Sequence, residues 1–229
     1  MLALSIIIPV LNEEKRLKTL IPHLKKYSSH AEIIVVDCKH SSDNAKKVCE
    51  ANGVMYQKVQ VAGRAKQMNT GAALSNSSVL MFLHADVLPP ASFEQQILEH
   101  IEKGFKAGFF AYEFDPTTKW LSINAKYTRK KGLFAGGGDQ CQFMTREVFD
   151  QLGGYDESYV IMEDFEMIRN IRKANIPFII IQDPAIVSSR KYSKNSYLRV
   201  NLVNFVVFMA FLLGVSPRTL KKMYSFSLR

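Results

Sequence analysis

Apolar positions along the first hundred residues follow two alternating periods. Leu4–Val10 is a continuous, Ile-rich apolar run of strand length. Leu17, Leu20, Ile21 and Leu24 then recur at helical spacing. Pro22 falls inside that pattern, where a mid-helix proline costs about 3 kcal/mol, so the helix proper is expected to begin near Pro22. Glu32–Asp37 reads as a second strand, Asp43–Ala51 as a helix and Val54–Gln57 as a third strand. Arg64–Leu74 reads as a helix and Val79–Leu83 as a fourth strand. Further on, Phe93–Glu102 is predicted helical and Ala107–Phe114 an alternating strand. A helix or loop is expected over Lys119–Lys131, then a turn at Gly136-Gly137-Gly138 and a short strand at Gln142–Thr145. Phe165, Ile168 and Ile171 mark one face of a helix over Glu163–Ala174, and Pro177–Ile181 reads as another short strand.

Continuous apolar strands separated by helices imply burial on both sheet faces, and hence a mostly parallel central sheet flanked by helices in an α/β fold. The chain shows no repeat or linker and is read as a single domain, 1–229. Within it, 1–114 would be the nucleotide-binding half, 115–195 the acceptor and catalytic half, and 196–229 C-terminal helices. No Gly-x-Gly-x-x-Gly follows the first strand and no Gly-x-x-x-x-Gly-Lys-Ser/Thr occurs, which disfavours a dinucleotide cofactor and a P-loop.

Composition adds a charge. The 229 residues carry 30 Lys and Arg against 21 Asp and Glu, a net charge of +9. That balance favours anionic partners: nucleotide phosphates, anionic lipid headgroups or nucleic acid. No basic stripe interleaved with aromatics is present, so nucleic acid is not expected. Cys38, Cys49 and Cys141 are widely spaced and odd in number, with no Cys-x-x-Cys pair. This argues against zinc and disulfides and points to a reducing, cytoplasmic setting. The apolar start lacks a basic flank and breaks at Pro9, so it reads as a strand rather than a signal peptide.

The polar residues fall where chemistry is expected. Asn12 and Glu13 follow the first strand, Asp37 ends the second, and Asp86 follows the fourth. Parallel strands all end on one sheet edge, and ligands bind there. Any one of these acids could simply cap the next helix. Three converging carboxylates are costly unless a cation or ligand compensates them. Gly63 precedes a helix whose first turn carries Arg64 and Lys66, with Asn69 just beyond. Free N–H groups and the positive dipole end there suit a diphosphate, although a basic surface helix would look the same. Glu163 and Asp164 open a helix after the Gly153-Gly154 turn. They either stabilise its dipole or supply a general base. Asp139 follows three glycines, where backbone can approach a ligand closely or merely turn.

Leu4 to Glu14, with Pro9, Asn12 and Glu13, resembles the opening of family 2 glycosyltransferases of the GT-A fold. Glu32–Asp37 resembles their second strand, which ends in a uracil-binding aspartate. Phe82 to Asp86 stands where they carry Asp-x-Asp, and Glu163-Asp164 where they carry the catalytic base. More narrowly, the segments Gly63 to Asn69, His84 to Asp86, Gly138 to Gln140, Met162 to Asp164 and Gly214 to Pro217 resemble one bacterial subfamily. That subfamily comprises the glycosyltransferases associated with radical-SAM and selenodomain genes. The resemblance implies a nucleoside-diphosphate-sugar transferase that inverts the anomeric centre. Pro9, Asn12, Glu13, Asp37, Arg64, Lys66, Asn69, His84 and Asp86 would hold the donor, and Asp86 the metal (Mn or Mg). Asp164 would be the base, with Glu163 and Asp139 as further catalytic candidates, and Gly138 and Gln140 on the acceptor side. Two departures stand out. His84 replaces the first acid of Asp-x-Asp, and Cys38-Lys39 follows Asp37 where many relatives have an acid or glycines.

Leu202–Leu213 is apolar apart from Asn204 and too short to span a bilayer, which takes about 20 such residues. It would be a buried packing helix, a dimer contact, or a helix lying on the inner face of a membrane. In the last case peripheral contact would run through 198–224, with Arg190, Lys191, Lys194, Arg218, Lys221 and Lys222 as basic flanks. A lipid-linked acceptor would fit that third reading. The competing functional readings are a non-catalytic nucleotide-sugar- or membrane-binding module and, less well supported, a sugar-1-phosphate nucleotidyltransferase. Such nucleotidyltransferases carry a glycine-rich basic signature where this chain has Asn12-Glu13-Glu14.

Overall fold

A computed structural model describes residues 2–28, 30–132, 135–190, 192 and 196–227. Lys191 and Lys194 lie outside the described residues. The strands are β1 (Leu4–Val10), β2 (Glu32–Asp37), β3 (Met55–Lys58), β4 (Val79–Phe82), β5 (Val87–Leu88), β6 (Ala107–Asp115), β7 (Gln142–Thr145) and β8 (Phe178–Ser188). They form one sheet in the order β3-β2-β1-β4-β7-β6-β8-β5. The first four pair in parallel. Beyond β4 the sheet is mixed: β7 is antiparallel to β4 and β6, β8 is parallel to β6, and β5 is antiparallel to β8. The expected parallel sheet therefore holds for the first half only.

Helices α1 (Glu14–Tyr27), α2 (Ala45–Ala51), α4 (Phe93–Glu102) and α5 (Lys119–Thr128) cover one face. Helices α3 (Arg64–Leu74), α6 (Arg146–Gln151) and α7 (Glu163–Lys173) cover the other. Two C-terminal helices, α8 (Tyr197–Leu212) and α9 (Pro217–Ser227), pack against each other and against α7.

The helix expected to start near Pro22 instead runs from Glu14 through Pro22 to Tyr27. Leu17, Leu20, Ile21 and Leu24 are all fully buried. Burying such side chains contributes about 1.5–3 kcal/mol each, which outweighs the roughly 3 kcal/mol of one interior proline. The alternation expected in β6 is also absent. Its first five residues are buried because its alternate side chains enter both core layers, Phe110 on one face of the sheet and Phe109 on the other. The strand expected at Pro177–Ile181 continues to Ser188, drawn out by pairing with β6 and β5.

Two sequence details position the edge where β1, β2 and β4 end. Pro9 sits in β1 opposite Val36. The Val10 carbonyl turns toward β2, where it accepts from Cys38 N–H, while the Ile7 carbonyl turns toward β4, where it accepts from Leu83 N–H. By alternation the nitrogen of Pro9 faces the β4 side, just past the last β1–β4 pair. A residue without an N–H therefore sits where the two strands part. That point is also where the chain order reverses, since β2 and β3 lie on one side of β1 and β4 on the other. Sheets open into ligand crevices at such switch points. On the other face, Gly71 brings α3 against the sheet. A Cβ there would stand 2.4 Å from Ile7 Cγ2.

Candidate active site

The loops at the carboxyl edge are held by their own side chains. Asn12, at φ 56°, accepts through Oδ1 from Ser42 N–H (2.8 Å), and its own N–H donates to Ser41 Oγ (3.0 Å). Glu14 accepts from Asn44 N–H (3.1 Å). The loops after β1 and β2 are thus tied together. Beneath them, buried Gln67 of α3 donates to the carbonyls of Val10 (2.8 Å) and Val36 (2.7 Å). A glutamine one turn into a helix carries no local sequence signal of reaching two strand ends.

Asp37 is 2% exposed. Its Oδ2 accepts from the Tyr56 hydroxyl at 2.8 Å, while Oδ1 is buried with no hydrogen-bond partner. Burial and the bond to Asp37 raise the Tyr56 phenol well above its ordinary range, so it stays a donor.

The β4–β5 turn presents His84 and Asp86. Ser188 N–H donates to the Asp86 carbonyl (3.1 Å), fixing that turn to the end of β8. Asp139 comes from the far half of the sheet on a single 3₁₀ turn, Gly138–Gln140. The glycines before it allow close packing on α7. At Gly136 (φ 100°) a Cβ would stand 3.0 Å from Ile168 Cβ, and at Gly137 it would stand 3.3 Å from Phe165 Cζ. Gln140, expected on the acceptor side, faces inward. It is 1% exposed, accepts from Gly136 N–H (2.7 Å) and donates to the carbonyls of Phe110 (3.0 Å) and Thr128 (3.2 Å). It holds the turn that carries Asp139.

The first turn of α7 completes the cluster, entered through Met162 at φ 67°. Glu163 is fully buried and its Oε1 meets Arg64 Nη1 at 2.7 Å. Asp164 Oδ2 lies 3.9 Å from His84 Nε2, and Asp139 Oδ1 lies 3.6 Å from His84 Nδ1. The imidazole thus stands between two carboxylates. Burial raises the Asp164 carboxyl to about 7, with Glu163 pushing the same way and His84 and Arg64 opposing. Burial and Arg64 pull the imidazole down, but Asp139 and Asp164 outweigh them, and the net direction is up.

Arg64 and Lys66 open α3 with basic charge. The anions they meet are Glu163 and Glu157, the latter 3.2 Å from Lys66 Nζ. Asn69 clamps the 153–157 loop: Nδ2 donates to the Tyr155 carbonyl (2.8 Å) and Oδ1 accepts from Tyr155 N–H (2.9 Å). Both ends of its amide are therefore used within the protein. Glu13 pairs with Arg16 (3.1 Å) and with Arg190 (3.2 Å).

Among the described residues, His84, Asp86 and Asp139 form a group whose ligand atoms all lie within 4.8 Å of one another. A cation with bonds of about 2.1 Å spans ligands up to about 4.2 Å apart, so the group is close enough to fit one with at most a small contraction. One imidazole nitrogen and two carboxylate oxygens suit manganese at least as well as magnesium. Beside Asp86 opens a groove of about 540 Å³, lined in part by Asn12, Glu13, Asp43, Asp115 and Arg190. That is the size of a small-molecule site. Its lining holds five acids (Glu13, Glu14, Asp43, Asp86, Asp115) against Lys15, Arg16 and Arg190, so a diphosphate bound there calls for a cation. The cysteines are buried and unpaired. Burial pushes the Cys49 thiol up to about 11 and Cys141 higher still, so neither is a ready nucleophile.

No curated protein matches the chain. Solved structures share its fold. A mannosyltransferase from Pyrobaculum calidifontis, in complex with GDP-Man and Mn2+, superposes with a TM-score of 0.70 at 16% identity, covering 97% of this chain and 68% of that one. Glucosyl-3-phosphoglycerate synthase from Mycobacterium tuberculosis, in complex with Mn2+, UDP and glucosyl-3-phosphoglycerate, gives 0.65 at 14% identity over 93% of this chain and 80% of that one. S. aureus TarS gives 0.67 at 13% identity over 93% of this chain. The match spans less than half of TarS, 43% of its length. The model of "Glycosyl transferase family 2" matches residues 5–153. It takes in β1 through α6, including the loops bearing Asn12, Asp37, Arg64, Asp86 and Asp139, and by that match over well more than half its length the chain belongs to glycosyl transferase family 2.

Proposed function

We propose that the chain transfers a sugar from a UDP- or GDP-sugar to an acceptor hydroxyl with inversion at the anomeric carbon. The observation that carries this reading is the meeting of His84, Asp86 and Asp139 with a buried, proton-accepting Asp164 at one sheet edge. Asp37, with one oxygen held by Tyr56 and the other unsatisfied, receives a donor N–H of the base. Asn12 and Glu13 shape the loop over the nucleoside, beside Pro9, where the sheet parts. Asp86 would hold a divalent cation together with Asp139 and His84, which would account for an imidazole in place of an acid. Bound there, Mn or Mg would supply positive charge against that developing on the leaving diphosphate. Complexes of the structural neighbours with Mn2+ and nucleotides support this assignment.

In the transfer step the acceptor oxygen attacks the anomeric carbon as the bond to the diphosphate oxygen breaks. Asp164 takes the acceptor proton. A carboxyl raised to about 7 is well matched to that task near neutrality. Glu163 anchors Arg64, and Gln140 and Asn69 position the loops around them. Residues 1–114 form the donor half and 115–195 the acceptor half. The likeness to the radical-SAM- and selenodomain-associated subfamily extends this reading through Met162 to Asp164.

A thermal-shift panel of UDP, GDP and their sugar conjugates, with and without manganese, tests the proposal. A ligand that binds only the folded state raises Tm. A manganese-dependent rise with one nucleotide is expected and names the donor class. No rise with any of them would replace the transferase with a non-catalytic module.

A further inference from the structure

Helix α8 has two unlike faces. Val207, Phe208 and Phe211 are buried against α7 and α9. The opposite face exposes Leu198 (77%), Leu202 (64%), Phe205 (52%), Met209, Leu212 and Leu213 (81%). These recur at spacings of three and four, so they form one apolar stripe along a 16-residue helix. Helix α5 extends the patch. Trp120 (61% exposed), Ile123 and Tyr127 (64% exposed) share its outer face. The two helices are joined at this surface. Asn124 Nδ2 donates to Asn201 Oδ1 (2.8 Å), the Tyr197 hydroxyl donates to Asn124 Oδ1 (2.8 Å), and the Trp120 and Tyr197 rings lie 5.9 Å apart. Monomeric proteins rarely leave so continuous an apolar face in water.

Charge identifies what covers it. Residues 116–138 and 184–229 carry 13 of the 30 Lys and Arg and none of the 21 Asp and Glu. They supply more than the whole net charge of +9, and the rest of the chain is net acidic. These are the segments that bear the apolar patch. Arg199, Arg218, Lys221 and Lys222 are all exposed on them. A second copy of the chain would bring the same positive charge to the same contact, which disfavours self-association. An anionic bilayer brings the opposite charge and an apolar layer beneath it. No helix among the described residues is long and apolar enough to cross a membrane, so the patch lies on the surface. We propose that the outer faces of α5 and α8 dock the protein on an anionic lipid bilayer, with Trp120 at the headgroup level. Phe165, next to Asp164, meets the Phe208 ring edge to face at 5.0 Å, so the docked helix packs against the helix that carries Asp164.

Trp120 is the single tryptophan of the chain, and its fluorescence reads the event directly. The full chain is titrated with vesicles of phosphatidylcholine alone or mixed with phosphatidylglycerol. The expected result is a blue shift and co-sedimentation with the anionic vesicles only. Phe205→Glu, at a site already exposed, should keep the wild-type Tm and lower partitioning at least about tenfold, as the loss of a buried aromatic implies. Lys221→Ala with Lys222→Ala should lower it roughly thirtyfold. Equal binding to both vesicle types, or unchanged binding by Phe205→Glu, would overturn the proposal. So would a stable wild-type dimer by light scattering that Phe205→Glu dissociates without any vesicle binding, which would assign the face to a second copy. None of these readouts depends on transferase activity.

Discussion

Arg64 Nη1 stands 2.7 Å from Glu163 Oε1, and the glutamate is fully buried while the arginine is half exposed. This pair separates two adjacent acids by their partners. Glu163 is committed to Arg64, whereas its neighbour Asp164 faces His84 across a looser 3.9 Å gap. The helix that begins with two acids therefore gives them separate partners.

Removing Arg64 leaves the Glu163 carboxylate buried and unpaired. Arg64→Ala should destabilise the protein by roughly 1–3 kcal/mol, a range kept low because water reaches the arginine. Adding Glu163→Gln to that variant should restore most of the loss. Denaturant melts of both single variants and the double decide it; additive losses would deny the pair.

Asp164→Asn keeps the shape and loses the basic oxygen. Turnover should fall by about 10²–10⁴, with the nucleotide-dependent Tm rise retained. Wild-type turnover in this variant would remove Asp164 as the base.

The same residue makes a prediction about pH. Its carboxyl is raised from 3.8 to about 7 in the folded protein. The neutral form is the one the fold prefers, so its contribution is whole below the unfolded value and is lost as pH rises through the folded value. The Tm of the metal-free protein should fall over that window, and the slope should flatten in Asp164→Asn. Parallel slopes for the two proteins would show that another group sets the dependence.

Asp86→Ala removes a carboxylate from the His84, Asp86 and Asp139 group. The manganese-dependent part of the nucleotide Tm rise should disappear while the metal-free Tm stays within about 1 kcal/mol equivalent of wild type, as for a surface change. Identical titrations with and without manganese in wild type and variant would deny the metal role.

Gly71→Ala tests the packing of α3. Alanine is the better helix former by about 1 kcal/mol, yet its Cβ would sit 2.4 Å from Ile7 Cγ2. Net destabilisation of about 1–3 kcal/mol is expected from overpacking, measured by chemical denaturation. A stabilised variant would mean that α3 can move off the sheet.

Much of this architecture is written in local pattern. Strands β1, β2 and β7 and helices α3 and α4 have the ends, to within a residue, that periodicity predicts, because each shows its burial directly in its own spacing. That β1, β2 and β4 end on one edge also follows from the sequence, since continuous apolar strands joined by helices pair in parallel. What the sequence alone could not supply depends on partners distant along the chain. Pro22 stays inside α1 because four neighbouring side chains find a core. β8 reaches Ser188 because β6 and β5 lie beside it, and β5 and α6 carry too few residues to show a period. The inward turn of Gln140, the reach of Gln67 to two strand ends and the pairing of Glu163 with Arg64 come from contacts across 12 to 99 positions. An amide or a carboxylate looks the same in sequence whether it faces a ligand, a backbone carbonyl or a guanidinium. Only the tertiary structure assigns its partner, and with it which of two adjacent acids meets a guanidinium and which faces an imidazole.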